Sequence, residues 1–441
     1  MVQVDPGPES GKLPAKVEVV IIGGGIIGTS ATYFLAKQGV SVLLCEKGVI
    51  GGEQSSRNWG FVRQQGRAPQ EIPLIMESLR LWRGLDAEIG DNTGFFQGGV
   101  VYATETEKGL AQYETWAELA KQYQLDTRLL SAAELKEKMP DLAGDWAGAM
   151  TTPSDGRAEP MKAAPAIARA AVRIGANVVT NCAVRGLDIE GGRVVGVVTE
   201  QGRVACERVV LAGGAWSSLL CGREGLTLPQ LKVQNNVLRT TPAPNVTDGA
   251  CWSGPVAIRR RVDGGYTVAH GTLNQFPLVP DAFRYFRKFL PALKEERDSI
   301  RLKFGSRFWR ELFTQRYWTL DTPSPFESTR ILDPKPDRNV IDATFANLKQ
   351  AYPVMKDVKI DRSWAGLIDV TPDAIPVISP VDEIPGFYLA TGFSGHGFGI
   401  GPGAGRLVSE MVTDTPTCVE LEPFRYNRFF DGTELQLGPG V

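Results

Sequence analysis

The residues best placed to do chemistry lie near the start of the chain, in Gly23-Gly24-Gly25-Ile26-Ile27-Gly28, and again at Glu46. Gly23 permits a tight turn, and Gly25 leaves the backbone bare enough for a pyrophosphate to approach. Gly28 lets a helix pack closely on a strand. A helix that begins here aims unpaired N–H groups, and its positive end, at phosphate charge. Glu46 follows Gly28 by 18 residues, where a carboxylate at the next strand end accepts from ribose hydroxyls. That chemistry is dinucleotide binding. The glycine spacing alone does not separate a flavin from a nicotinamide.

The flanks provide the elements such a motif needs. Residues 17–22 are a short β-branched run, the pattern of a buried parallel strand. A helical pattern runs from Thr29 to Gln38 and stops at Gly39, and residues 40–45 form a second strand that ends on Glu46. The unit is strand, helix, strand.

Three further stretches favour FAD. Lys47 and then Gln54, Ser55, Ser56, Arg57 and Asn58 are small or hydrogen-bonding residues suited to lining a second section of a long cofactor. Residues 208–216 form an apolar strand that ends on Gly213, Gly214 and Trp216, bare backbone at a strand's C-terminal end. Near the other end of the chain, residues 386–403 repeat strand, glycine loop and helix, with Gly395, His396, Gly397, Phe398 and Gly399 in the loop. A helix N-terminus there would set positive partial charge against the anionic side of a reduced flavin. Each stretch has a plainer reading as a turn or surface loop. Together they suit a ligand long enough to touch both ends of the chain.

Composition removes several classes. A net charge of -2 gives no basic excess for nucleic acid. Six cysteines without a C-x-x-C pair and only two histidines, His270 and His396, argue against a metal centre. Residues 1–16 are polar, and no run reaches the ~18 apolar residues of a membrane span. The expected location is the cytoplasm.

Taken in order, these stretches resemble the FAD-dependent D-amino-acid-oxidase superfamily, which includes glycine and sarcosine oxidases. Trp364-Ala365-Gly366 and Thr371-Pro372-Asp373 carry the resemblance between residues 208–216 and the closing loop. Within the superfamily the chain looks most like bacterial L-amino acid deaminases, through residues 46–57, 180–187, 324–327 and 361–373, and is similar to opine oxidase catalytic subunits. The resemblance implies an α/β fold: a Rossmann-like, glutathione-reductase-type FAD-binding domain with an inserted α+β substrate-binding domain. The implied partition gives residues 16–90, 150–232 and 356–425 to the first and 91–149 and 233–355 to the second. It places Val184 by the adenine through its backbone. Gly366 stands where sarcosine oxidases attach flavin to a cysteine, so the FAD would be non-covalent. Thr267 stands near their oxygen-activating lysine, which favours an acceptor other than oxygen, such as a quinone or partner protein.

The implied reaction is hydride transfer from a substrate α-carbon to flavin N5, giving an imine that water hydrolyses. The substrate is a small free amino acid; alternatives are an N-substituted amine (sarcosine or an opine) and a non-catalytic FAD-binding protein. A carboxylate calls for a bidentate guanidinium, and among Arg259, Arg260 and Arg261 the resemblance favours Arg259. His396 is a candidate for shaping the pocket or moving a proton near neutral pH, with a structural histidine as the competing reading. Gln64, Gln65, Arg63 and Trp364 are further pocket candidates. Residues 283–318 interleave aromatic and basic side chains, the pattern either of core faces or of a peripheral membrane or subunit contact.

Overall fold

The computed structural model describes residues 2–272, 274–295 and 300–435 of the chain. Its first sheet grows from the N-terminal motif. Val19–Ile22 is buried and pairs in parallel with Val42–Cys45 on one side and Arg208–Leu211 on the other. Asn177–Val179 extends one edge, and Phe387–Thr391 followed by antiparallel Val377–Pro380 extends the other, making six strands. Buried on both faces, such strands read as continuous Val/Leu/Ile runs rather than alternating ones.

The first helix, Ile26–Lys37, begins three residues earlier than its apolar periodicity suggests. Gly28 therefore lies in its first turn, where a Cβ would stand 1.9 Å from the Gly23 carbonyl oxygen. Ile26–Lys37 packs against Gly397–Val412 and Pro160–Arg173, and Ile72–Ile89 packs on the second of these three. The helix crossing is tight: a Cβ at Gly405 would meet the Ser30 Cβ at 2.3 Å. The antiparallel sheet Val184–Glu190, Arg193–Thr199 and Gly202–Ala205 joins the opposite core.

A second, ten-stranded sheet draws on residues 100–152, 231–303 and 360–370. Its longest pairing joins Leu231–Thr240 to Ile360–Val370, antiparallel from Leu231↔Val370 to Thr240↔Ile360. Gly148–Thr152 and Leu231–Thr240 cross the boundaries expected from the sequence, and Ile360–Val370 pairs within this sheet. A strand that ends at the cofactor but pairs in the other layer carries no break in pattern to mark it.

The aromatic stretch is split between core and surface. Phe283, Phe304, Phe313 and Tyr317 are more than half exposed, while Tyr285 and Phe289 turn inward. Residues 296–299 of that stretch lie outside the described residues. Among the described residues no helix is long and apolar enough to cross a membrane.

Candidate functional site: the dinucleotide cleft

The parallel strands deliver their C-terminal ends to one long cleft that opens to solvent. Gly23, Gly24, Gly25, Ile26 and Ile27 line it, with Glu46, Lys47, Gln54, Ser55, Asn58 and Val184. The loop Gly213, Gly214 and Trp216 joins them, as do Gly395, Gly397 and Phe398 from the closing loop. Gly23 holds φ +111, and a side chain there would meet the Ala212 carbonyl oxygen at 2.5 Å. Only glycine keeps this wall flat.

Glu46 accepts N–H from Gly24 at 2.7 Å and from Gly48 at 2.7 Å, one on each carboxylate oxygen. Each oxygen keeps a second lone pair for a ribose hydroxyl. Burial pushes its pKa up. Ser55 Oγ takes the Ile26 N–H at 2.9 Å, fixing the helix start against the 51–58 loop. Gln54 Oε1 is buried without a partner beside Gly366, where a Cβ would stand 2.2 Å away. A bare glycine wall, an acid at the ribose position, a helix N-terminus and an orphaned amide oxygen fit an extended dinucleotide.

Several expected cofactor residues brace the cleft instead of lining it. Arg57, 1% exposed, donates to the Ala365 and Gly52 carbonyls and pairs with Asp333, and Ser56 Oγ bonds back to the Glu53 carbonyl. Gly28, Gly366 and Gly399 act through close packing; Gly399 lies against Val62 and the Arg63 nitrogen. Lys47 also does structural work. Its Nζ reaches Glu53 at 2.7 Å and the Thr329 and Arg330 carbonyls at 2.9 Å each. Glu53 in turn accepts from Trp216 Nε1 and the Leu332 N–H, all at 3.0 Å, so residues 329–332 are bolted to the rim. Sequence reading passed over Glu53 as a hub, since a lone acid in a polar loop looks solvated.

It also missed Asp369, which lines the cleft two residues before the Thr371-Pro372-Asp373 stretch. Asp369 accepts the Gly392 N–H at 2.8 Å, and burial pushes its pKa up to about 6. Asp373 is instead tied to Arg428 at 2.8 Å.

Arg259 is where geometry and expectation part. Its guanidinium is 1% exposed and ion-paired with Glu159 at 2.8 Å. It also donates to the Trp59 carbonyl at 2.7 Å and Thr267 Oγ1 at 2.9 Å. A guanidinium so engaged braces the two layers against one another. Arg261 is likewise taken by Asp263. His396 is buried with Nδ1 2.9 Å from Glu71. Burial, helped by Arg67, lowers its pKa to about 4, so the ring is neutral at pH 7. Burial alone would raise Glu71, but His396, Arg67 and Arg63 hold it below its usual range. The ionised carboxylate only accepts, so Nδ1 carries the ring proton. This corrects the expectation of a histidine titrating near neutrality. Gln64, Gln65 and Trp364 are buried outside the cleft; Trp364 Nε1 donates to the Arg57 carbonyl at 3.1 Å.

A mostly parallel sheet that ends in a dinucleotide cleft, beside a large mixed sheet whose strand Ile360–Val370 runs to the same cleft at Leu367 and Asp369, defines a flavin-type oxidoreductase architecture. The chain belongs to the FAD dependent oxidoreductase family (DAO), whose model matches residues 18–411. Its cofactor is FAD. Among solved structures it is similar to an L-amino acid deaminase from Proteus myxofaciens, 33% identical, with a TM-score of 0.93 over 97% of this chain and 100% of that one. It is 27% identical to mitochondrial sarcosine dehydrogenase of Mus musculus over 97% of this chain. The chain spans 42% of that longer protein. It is 26% identical to glycine oxidase of Bacillus subtilis (strain 168) over 93% of this chain and 97% of that protein.

Proposed function

We propose that the chain is an FAD-dependent enzyme that oxidises a free amino acid at its α-carbon, releasing a 2-oxo acid and ammonia after hydrolysis of the imine. The observation that carries this reading is the likeness to an L-amino acid deaminase at a TM-score of 0.93 with full coverage of that structure, which holds anthranilate, an amino-bearing carboxylate. The bound flavin supplies hydride acceptance, which the protein cannot. The residues of this chain hold and orient. Glu46 and the Gly23–Gly25 turn would grip ribose and pyrophosphate, and the N-terminus of Gly397–Val412 would set positive partial charge against the ring system.

A second reading, oxidation of an N-substituted amino acid, is supported by the relatives named for sarcosine and by 4-methylaminobutanoate oxidase of Paenarthrobacter nicotinovorans, 27% identical. One measurement separates them: anaerobic bleaching of the protein's flavin band at ~450 nm. Bleaching by one enantiomer series of primary amino acids is expected. Bleaching by N-methyl or N-carboxyalkyl amino acids alone would transfer the reading to the second. Admitting air afterwards tests oxygen against a quinone or partner protein as acceptor.

A further inference from the structure

Four other buried arginines among the described residues have counter-ions. Arg57, Arg259, Arg261 and Arg428 pair with Asp333, Glu159, Asp263 and Asp373. Arg157, also buried, lies over the ring of Phe96 and donates to the Asp248 carbonyl, with Nη1 left without an acceptor. Arg63 and Arg67 differ. They are 7% and 2% exposed, and among the described residues neither guanidinium has a carboxylate oxygen within 4.0 Å. Arg67 makes one long bond, Nε to the Arg63 carbonyl at 3.3 Å, and its Nη1 is buried with no acceptor. Two more buried donors close by are unsatisfied: Gln65 Nε2 and the Tyr102 hydroxyl.

These groups converge. The Arg63 guanidinium lies 5.5 Å above the Tyr102 ring, and a Cβ on Gly66 would stand 3.9 Å from the Tyr102 hydroxyl. Gln65 Oε1 is held by Thr152 at 2.9 Å, and Thr152 and Tyr102 occupy one face of neighbouring strands, through Val100↔Thr152 and Tyr102↔Met150. The cluster stands behind the closing loop: His396 of that loop bonds Glu71, and Gly399 touches the Arg63 backbone. The nearby acids make no ion pair with the two guanidiniums: Glu71, which both arginines help to keep ionised, hydrogen-bonds His396, and both Asp155 oxygens accept backbone N–H, from Gln64 at 2.7 Å and Gln65 at 3.2 Å. Burial favours the neutral form of Asp155.

Arg63 Nη1 is taken by the Gln65 carbonyl, but Arg67 Nη1 and the two further buried donors have no acceptor, at a cost of several kcal/mol unless an anion arrives. We propose that Arg63, Arg67, Gln65 and Tyr102 form an anion subsite beside the cofactor, and that the substrate is an amino acid with a second carboxylate. That carboxylate belongs either to an acidic side chain or to an N-carboxyalkyl arm. The inference rests on the amino acid reading above and narrows it.

The test uses the FAD-loaded protein and calorimetric titration with glutarate and its mono-amide, glutaramate. Glutarate should bind roughly 30-fold or more tightly than glutaramate, the range for a buried charge pair made or broken. Arg63→Met and Arg67→Met should abolish the preference, and Tyr102→Phe should reduce it. Without ligand, Arg67→Met should melt no lower than wild type, because an unpaired buried charge has been removed; a merely structural arginine would lower the melting point. Equal binding of glutarate and glutaramate, or a preference that survives both arginine variants, overturns the subsite. Flavin bleaching by glutamate and aspartate against N-carboxymethylalanine then tells the two sources apart. If glutarate is preferred yet no amino acid bleaches the flavin, the subsite stands and the oxidation reading fails.

Discussion

Replacing Arg259 tests whether that residue holds the protein together or holds the substrate. The side chain is 1% exposed and Glu159 4%, their charged atoms meet at 2.8 Å, and Glu159 also accepts the Val262 N–H at 3.0 Å. Burial alone would raise the Glu159 pKa, yet Arg259 holds it below the usual carboxylate range. Removing one partner of such a pair leaves the other charged, dry and unmatched, at a cost of about 3–5 kcal/mol. Arg259→Met and Glu159→Gln should each lose that much in denaturant unfolding. The double variant should lose less than the sum, since no bare charge remains and glutamine still accepts from Val262. The variants that retain FAD should keep KM within about threefold, because the guanidinium makes no contact in the cleft. An Arg259→Met protein with wild-type stability and a KM raised tenfold or more would refute this and make Arg259 a carboxylate clamp.

Gly28→Ala should purify colourless or take up FAD only weakly, since its Cβ would fall 1.9 Å from the Gly23 oxygen and push apart the turn and helix that form the phosphate wall; absorbance after FAD addition checks it. His396 has a folded pKa near 4, below its unfolded value of 6.5, so its contribution to stability is present above pH 6.5 and lost as the pH falls toward 4. The loss is on the order of 3 kcal/mol at about 1.4 kcal/mol per unit. Melting of wild type and His396→Gln between pH 7.5 and 4.5 should show a flatter profile in the variant, and the pH–rate profile from 6 to 9 should not change. Acid precipitation should release all the yellow colour into solution. Cys45 and Cys182, the cysteines lining the cleft, flank Glu46 and Val184 at its ribose end, away from where a ring would be attached; colour retained in the pellet would contradict this.

The legible parts of the sequence are those whose physics is local. Gly23 to Gly28 with Glu46 could be read because turn, helix start and acid lie within one βαβ unit. The chain order of the cleft segments was legible through Gly213–Gly214 and Gly395–Gly399, where glycine marks bare backbone at strand ends. Pairing partners were not legible. Arg259 reads as a basic strand residue, and nothing near it announces that Glu159, a hundred residues away, has closed it. His396 reads as a titrating group until Glu71 and full burial are known. Arg57, inside a loop otherwise given to the cofactor, turns its charge to Asp333 and the Ala365 carbonyl instead.

The two kinds of buried arginine bear on one another. Arg259 is neutralised by a residue of its own chain, so it cannot answer a substrate without giving up an ion pair made at 2.8 Å. Arg63 and Arg67 sit in comparable burial with no carboxylate at ion-pair distance, and Arg67 Nη1 is left without an acceptor. Stability alone would favour methionine or leucine at both positions. Buried polar groups retained against that pressure are most economically explained by an anion that is present when the enzyme works. The arginine that a motif singled out and the arginines that do the binding are then different residues, told apart by the carboxylate each has, or lacks, within reach.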